Sequence, residues 1–180
     1  MATTIRYKCY PLTDRPPEFV ARLVTVFRSH EKRISTEVLE KGLKSDDVLG
    51  VLRGDLVALG FDVELGKRAN EKIFRPVFFG ENGSPTLQYE VDAYHEDWRC
   101  GLEIEAGRAW KGNAIYRDIV QGMVMGGVDT LVIAVSNVYK YRSGGKRASS
   151  PDYENTCRVA DTIYGHSRFK LPYRLVVIGY

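Results

Sequence analysis

The hydrophobic pattern of the first third of the chain has helical spacing. Apolar residues recur three and four positions apart in two stretches, as expected of helices that bury one face. The first stretch opens at Pro16-Pro17, and the second can be capped by Ser45 and ends at Gly60. The apolar positions are Val20, Leu23, Val24 and Phe27, then Val48, Val51, Leu52, Leu56 and Leu59. The pattern therefore predicts two amphipathic helices before residue 60.

From Phe61 onward the hydrophobic period changes to two. Phe61–Leu65 alternates apolar and acidic residues, which is typical of a half-buried strand. Further strands are predicted at 74–79, 86–94 and 102–106, with polar or glycine-rich turns between them. The four strands are expected to form a meander.

The last third alternates helices with buried strands. Asn113 can cap a helix that Gly126-Gly127 ends, and the apolar run Val128–Val135 predicts a central strand covered on both faces. Another helix starts at Ser150-Pro151, and Tyr173–Gly179 is a final strand. This order predicts an α/β fold in which helices flank a mixed central β-sheet.

Length and composition indicate one globular domain. The chain has 180 residues, of which 44% are hydrophobic and 27% charged, so disorder is not expected. We expect a single domain over 1–180, with a helical N-terminal part (1–60) before the core (61–180). The 26 Lys and Arg residues exceed the 23 Asp and Glu residues, giving a net charge of +3.

Cysteine usage and the lack of targeting signals predict a cytoplasmic protein. The three cysteines are odd in number and lack metal-binding spacing. No apolar run is long enough for a membrane span, and the N-terminus has no signal-peptide core. Neither a P-loop nor a GxGxxG motif occurs, so no nucleotide cofactor is expected.

Three carboxylates are spaced so that neighbouring strands can bring them together. Glu103 and Glu105 project to the same face of one predicted strand, and Asp92 lies near the end of the preceding strand. Converging carboxylates repel one another unless a cation neutralises them. Such oxygen ligands suit Mg²⁺, which can activate water and stabilise charge on a scissile phosphate. Paired glutamates on a solvent-facing strand fit the same spacing.

The block Val91–Arg108 resembles the catalytic core of the PD-(D/E)xK nuclease superfamily. Within it, the pattern is similar to the BamHI/BglII type of type II restriction endonucleases, which carry an acidic or amide residue where most relatives have lysine. Glu105 occupies that position here. Asn70-Glu71-Lys72 precedes the Asp92 strand, as an extra active-site glutamate does in the BamHI type.

The resemblance continues after the catalytic strand. The segment Asn113–Gly122, with its Arg117-Asp118 pair, is similar to the helix that follows in the BglII type. The segments 128–133 and 174–180 resemble the later core strands. The match covers roughly residues 61–180 and leaves the helical N-terminus unmatched.

This resemblance implies a restriction-endonuclease-like sandwich and a Mg²⁺-dependent endonuclease that cuts double-stranded DNA as a homodimer. Mn²⁺ is expected to substitute for Mg²⁺. Asp92 and Glu103 would be metal ligands, with the Ile104 carbonyl as a third. Glu105 would orient or deprotonate the attacking water, and Glu71 would support a metal.

A basic segment follows the acidic residues. Between Arg108 and Arg147, seven bases face two acids, which favours attraction of a polyanion. The stretch 139–147 interleaves tyrosines and bases in what is expected to be a flexible loop, although a solvated surface turn fits equally well. The residues expected to contact DNA are Arg108, Lys111, Lys140, Arg142, Lys146 and Arg147.

Two other functions fit the same sequence. One is a DNA-binding or regulatory protein of this fold with weak or no cleavage. The other is a nuclease outside restriction, acting in repair, phage biology or RNA processing, because one fold supports many functions. The intact set of Asp92, Glu103 and Glu105 favours a nuclease over a binding protein.

Overall fold

The fold is taken from a computed structural model that describes residues 3–107, 109–110 and 112–180. None of the helices in these ranges is long and apolar enough to cross a membrane. The described helices are α1 (Glu18–Ser29), α2 (Glu31–Ile34), α3 (Ser45–Leu59), α4 (Ala114–Val124) and α5 (Asp152–Gly165). The described strands are β1 (Arg6–Tyr10), β2 (Asp62–Val63), β3 (Ile73–Phe79), β4 (Pro85–Val91), β5 (Ala93–His95), β6 (Cys100–Glu105), β7 (Thr130–Val135), β8 (Tyr139–Ser143), β9 (Lys146–Ser150) and β10 (Arg174–Gly179).

A mixed sheet forms the centre of the molecule. Its six strands run in the order β1-β10-β7-β6-β5-β2, and β3–β4 and β8–β9 form two separate hairpins. The central strands β6, β7 and β10 are parallel to one another, while β1, β5 and β2 pair antiparallel. Helices cover both faces, so the predicted α/β fold with a mixed central sheet is confirmed.

The alternation along β7 shows how the two layers of the core are divided. Val132 and Ala134 pack in a cluster with α1, α2 and α3. Leu131, Ile133 and Val135 point the other way, into a cluster with α4 and α5. Every residue of β7 is buried, as its continuous apolar run predicts.

The N-terminal part is not purely helical, in contrast to the prediction. Residues Arg6–Tyr10 form β1, an edge strand that pairs antiparallel with β10 along its whole length. Arg6 and Lys8 alternate with Tyr7 and Cys9, which is the only local signal of a strand in this segment.

The segment predicted as a flexible loop is a β-hairpin. Strands β8 and β9 pair in register, and Gly144 and Gly145 join them with φ of 56° and 77°. Positive φ at both central residues is what a tight two-residue hairpin turn requires, and glycine adopts it without a steric cost. The Tyr139 ring packs against Gly107, where an added Cβ would lie 2.8 Å from the ring. This close approach anchors the hairpin beside the end of β6.

Candidate active site

Asp92 stands at a break in the strand order. It separates β4 from β5, and the pairing of β5 with β6 stops where Ala93 faces Leu102. The next N–H on that edge of β6 belongs to Ile104, and it donates to Asp92 Oδ2 at 2.7 Å. The side chain of Asp92 therefore takes the place of a strand partner, which brings its carboxylate to the part of β6 that carries the two glutamates.

Glu103 and Glu105 face the layer formed by α4. Their neighbours Leu102 and Ile104 pack into the opposite cluster, with the N-terminal helices. The strand alternation predicted for the two glutamates is therefore confirmed. Glu103 is only 8% exposed, and Glu105 is also largely covered.

Two residues of α4 complete the acidic cluster. Asp118 is 1% exposed, and from the helix its charge raises the pKa of Glu103 and that of Glu105. The guanidinium of Arg117 lies 2.8 Å from Asp118 Oδ1 and 3.0 Å from Glu105 Oε1. Asp118 Oδ2 is buried without a hydrogen-bond partner among the described residues. Asp118 carries no predicted catalytic role, but its place on the apolar face of α4, between Ile115 and Ile119, is a signal in the sequence.

Burial raises the pKa of all four carboxyl groups. It brings the pKa of Asp92 and that of Glu105 to about 7, and it places the pKa of Glu103 well above its ordinary value. The pKa of Asp118 is raised for the same reason. Mutual repulsion adds to burial, whereas Arg117 lowers the pKa of the groups near it. The cluster therefore contains four carboxyl groups and one guanidinium, so positive charge is in deficit there.

Glu71 does not join this cluster. Its Oε2 accepts a hydrogen bond from the backbone N–H of Arg68 at 3.1 Å, a local contact in a short turn. The acid that lies beside Asp92 is Glu64, which is buried and whose charge raises the pKa of Asp92. Lys72 binds Glu64 at 3.0 Å and partly offsets that effect. Glu64 is therefore the additional glutamate whose charge reaches Asp92, and the metal-supporting role of Glu71 stays a prediction.

The carboxylates suit a hard cation in chemistry but are not preformed as a three-ligand site. Within the described ranges, no three His, Cys, Asp or Glu side chains are grouped so that they could hold a metal ion. All the donors are carboxylate oxygens, which Mg²⁺ prefers. The surplus of buried acids is what an added cation would offset. The type of donor atom thus fits magnesium. The role of the Ile104 carbonyl as a metal ligand stays a prediction.

A cleft gives access to these groups from solvent. Its volume is about 360 Å³, and Asp92 and Glu103 lie in its wall. Arg117 is the one basic side chain among the described residues that line it. An entering phosphate would therefore meet the carboxylates and a single arginine together.

Comparisons with known proteins bear on the fold. No protein-family model matches the sequence, and no curated protein matches it. The crystal structure of restriction endonuclease BglII complexed with a DNA 16-mer is similar over 98% of this chain and 76% of that chain, with a TM-score of 0.52 and 12% identity. The chain has the restriction-endonuclease fold of BglII. The crystal structure of free BglII aligns over 97% of this chain and 79% of that chain, with a TM-score of 0.49 and 13% identity.

The likeness to the BglII fold includes the N-terminal part. The sequence resemblance begins only at about residue 61, whereas the structural match to the DNA-complexed BglII spans nearly the whole chain. At 12% identity this likeness establishes the fold alone. The roles of individual residues rest on the geometry of this chain.

The basic residues of the β8–β9 hairpin separate onto its two faces. Arg142 lies directly opposite Arg147, and Lys140 is on the same face. Lys146 is on the other face, which also carries the stacked rings of Tyr139 and Tyr141. Like charges directly opposite each other destabilise a hairpin, and Glu40, at 3.4 Å from Arg147, offsets part of the charge of this pair. Two further residues expected to contact DNA, Arg108 and Lys111, lie outside the described residues.

Proposed function

We propose that the protein is a metal-dependent endonuclease that hydrolyses phosphodiester bonds of double-stranded DNA, as a type II restriction enzyme. The observation that carries this proposal is the gathering of Asp92, Glu103, Glu105 and Asp118 at the end of the β5–β6 pairing in a restriction-endonuclease fold. BglII was solved in complex with DNA, which supports DNA as the substrate class. The basic face of the β8–β9 hairpin supports the same class.

The residues divide the chemistry between them. Magnesium, or manganese in its place, would be held by Asp92 and Glu103 and would activate water and stabilise charge on the phosphate. The N–H of Ile104 holds Asp92 in position. Glu105, with a pKa of about 7, is matched to accept a proton from the attacking water near neutral pH. Arg117 pairs with Glu105 and lines the access cleft, where its guanidinium would donate to the phosphate oxygens.

We further propose a homodimer that forms through an apolar surface of α4 and the β3–β4 hairpin. Gly126, just after α4, donates to Pro76 in β3 at 2.6 Å, so the two elements adjoin. The exposed apolar side chains are Tyr116, Val120, Met123 and Val124 on the helix, and Phe74, Phe78, Phe79 and Leu87 on the hairpin.

The extent of this surface suits a second copy of the chain. Eight large apolar side chains, each about half exposed, expose on the order of 800 Å² together, which is the area each partner buries in a stable interface. A two-fold pair would present two active sites, one for each DNA strand. The cytoplasmic location and the absence of a nucleotide cofactor stay predictions.

Plasmid cleavage tests the proposed activity. Purified protein is incubated with supercoiled plasmid in Mg²⁺, and a parallel reaction contains EDTA. Discrete fragments that form only with the metal support a restriction enzyme, and a smear supports a nuclease outside restriction. Intact plasmid with retarded migration would overturn the proposal.

A DNA-binding protein that does not cleave is the second candidate. It is favoured by one observation, the lack of a preformed three-ligand group among the described residues. Mn²⁺ binding, followed by titration calorimetry, separates the two candidates before any cleavage assay. The nuclease should bind Mn²⁺ more weakly when Asp92 is replaced by Asn, and the binding protein should not respond.

A further inference from the structure

Two clefts join into one groove that leads away from Glu105. The first, of about 620 Å³, lies between the segment before α3 and the start of β8, and Glu105 is in its wall. The second, of about 830 Å³, lies along the β8–β9 hairpin. Lys41, Val138 and Lys140 line both clefts, so the two are continuous.

Basic side chains dominate this groove. The bases that line it are Lys41, Lys44, Lys67, Lys140, Arg142 and Arg147. The acids are fewer, and all three are already paired: Asp46 with Lys67 at 3.1 Å, Glu40 with Arg147 at 3.4 Å, and Glu105 with Arg117 at 3.0 Å. Lys41 and Lys44 are exposed and form no ion pair with any described residue. The groove therefore has free positive charge along its length.

The segment that carries these two lysines is fixed against the sheet. Lys140 Nζ donates to the carbonyl of Leu39 at 2.8 Å. At the other end of the segment, the N–H of Ala106 donates to Ser45 Oγ at 3.2 Å. Lys41 and Lys44 lie between these two attachments, on a backbone that is held to the residue following Glu105.

We propose that this basic groove binds the sugar-phosphate backbone of DNA, with Lys41 and Lys44 as phosphate contacts that guide the strand toward Glu105. The inference rests on the proposed function and adds residues of the N-terminal part to the binding site. A regular polyanion gains most from cations placed along an extended track, because each neutralised phosphate releases a counterion. The track ends at Glu105, the residue proposed to take a proton from the attacking water.

The test removes the two lysines together. Lys41→Ala/Lys44→Ala is compared with wild type in binding to a labelled duplex without divalent metal, over a series of salt concentrations. The slope of log affinity against log salt should fall by about 2, because each phosphate that is no longer neutralised lowers it by about 0.9.

A matched variant distinguishes direct phosphate binding from net charge. Lys32→Ala/Lys170→Ala also removes two exposed lysines, neither of which lines the groove. This control variant should keep the wild-type salt slope. Lys41→Glu should weaken DNA binding more than Lys41→Ala does. Equal slopes in the two double variants would overturn the inference.

Failure of the proposed function would look different. Wild-type protein would then fail to cleave DNA in Mg²⁺, whatever the groove variants do. Preferential capture of polyglutamate over duplex DNA by the wild type, abolished in Lys41→Ala/Lys44→Ala, would assign the groove to an acidic protein partner and overturn the proposed DNA binding.

Discussion

The backbone N–H of Ile104 donates a 2.7 Å hydrogen bond to Oδ2 of Asp92. The side chain of Ile104 is buried among the N-terminal helices, so core packing fixes the donor. The acceptor lies at the break between β4 and β5. The position of the proposed metal ligand is therefore set by where strand pairing ends, and its hydrogen bond stabilises the charged form of Asp92 against burial.

Asp92→Asn should abolish cleavage while the fold is kept. The amide oxygen of asparagine can still accept from Ile104, but an amide is a poorer metal ligand than a carboxylate. We expect the single-turnover cleavage rate to fall by at least about 100-fold. DNA affinity, measured by fluorescence anisotropy, should stay the same or rise because phosphate repulsion is reduced. Asp62→Asn, an exposed position on β2, is the matched control and should cleave normally; normal cleavage by Asp92→Asn would rule out the assigned role.

Metal-free protein should lose stability as the pH rises from about 4 to about 7. Asp92 and Glu105 have a folded-state pKa of about 7, above their ordinary values, so the folded state binds more protons in this window. The free energy of unfolding should then fall by up to about 1.4 kcal/mol per pH unit for each group. Urea unfolding at several pH values in EDTA measures this slope.

The carboxyl groups themselves can be removed as a control for the pH effect. Asp92→Asn/Glu105→Gln should flatten the pH dependence of the unfolding free energy. Mg²⁺ should restore stability to the wild type above pH 7, because metal binds the deprotonated groups. A wild-type slope no steeper than that of the double variant would contradict the assignment of these raised pKa values.

Arg117→Gln should shift cleavage toward higher pH. Arg117 lowers the pKa of Glu105, so its loss raises that pKa above about 7 and delays formation of the charged base. The variant should also be destabilised by about 1–3 kcal/mol, since Asp118 is left without its partner. Arg117→Gln/Asp118→Asn should recover stability and should move the pH–rate profile back toward that of the wild type, because the charge of Asp118 raises the pKa of Glu105 whereas Arg117 lowers it. An unshifted profile in Arg117→Gln would mean that Glu105 is not the group whose ionisation limits cleavage.

The two faces of the β8–β9 hairpin should respond differently to neutralisation. Arg142→Ala/Arg147→Ala removes the facing pair and should lower the salt slope of DNA affinity by about 2. Lys146 lies on the opposite face, with the tyrosines, so Lys146→Ala should change the salt slope little. Both are measured by anisotropy over a salt series. A larger effect of Lys146→Ala would place the DNA on the tyrosine face.

Val120→Asp should dissociate the proposed dimer. Val120 is 59% exposed on α4, at the centre of the apolar stripe, and a buried aspartate without a partner is costly in an interface. Sedimentation should show a dimer for wild type and a monomer for the variant. Val57→Asp, at a position 56% exposed on α3, is the control and should leave the dimer intact. A wild-type monomer at micromolar concentration would exclude this interface.

The sequence determined which faces of the main elements are buried. The unbroken apolar run of β7 indicates burial on both sides, and the alternation along β6 places Glu103 and Glu105 together. The apolar stripe of α3 and the end of this helix at Gly60, which has φ of 102°, could also be predicted from the local sequence. These features follow from the side-chain periods of the helix and the strand. Local backbone geometry alone sets those periods, so they can be read from neighbouring residues in the sequence.

Only the tertiary structure decided which segments meet. The pairing of β1 with β10, the effect of Glu64 on Asp92, and the approach of Asp118 to Glu105 all join residues that are distant in sequence or lie on different elements. The same holds for Lys41 beside Lys140 in the groove. Periodicity predicts that one face of an element is buried, but it does not predict which element covers that face. The covering element is determined by strand order and by the packing of whole layers. The acidic strand could therefore be found in the sequence, whereas the site around it is a property of the folded chain.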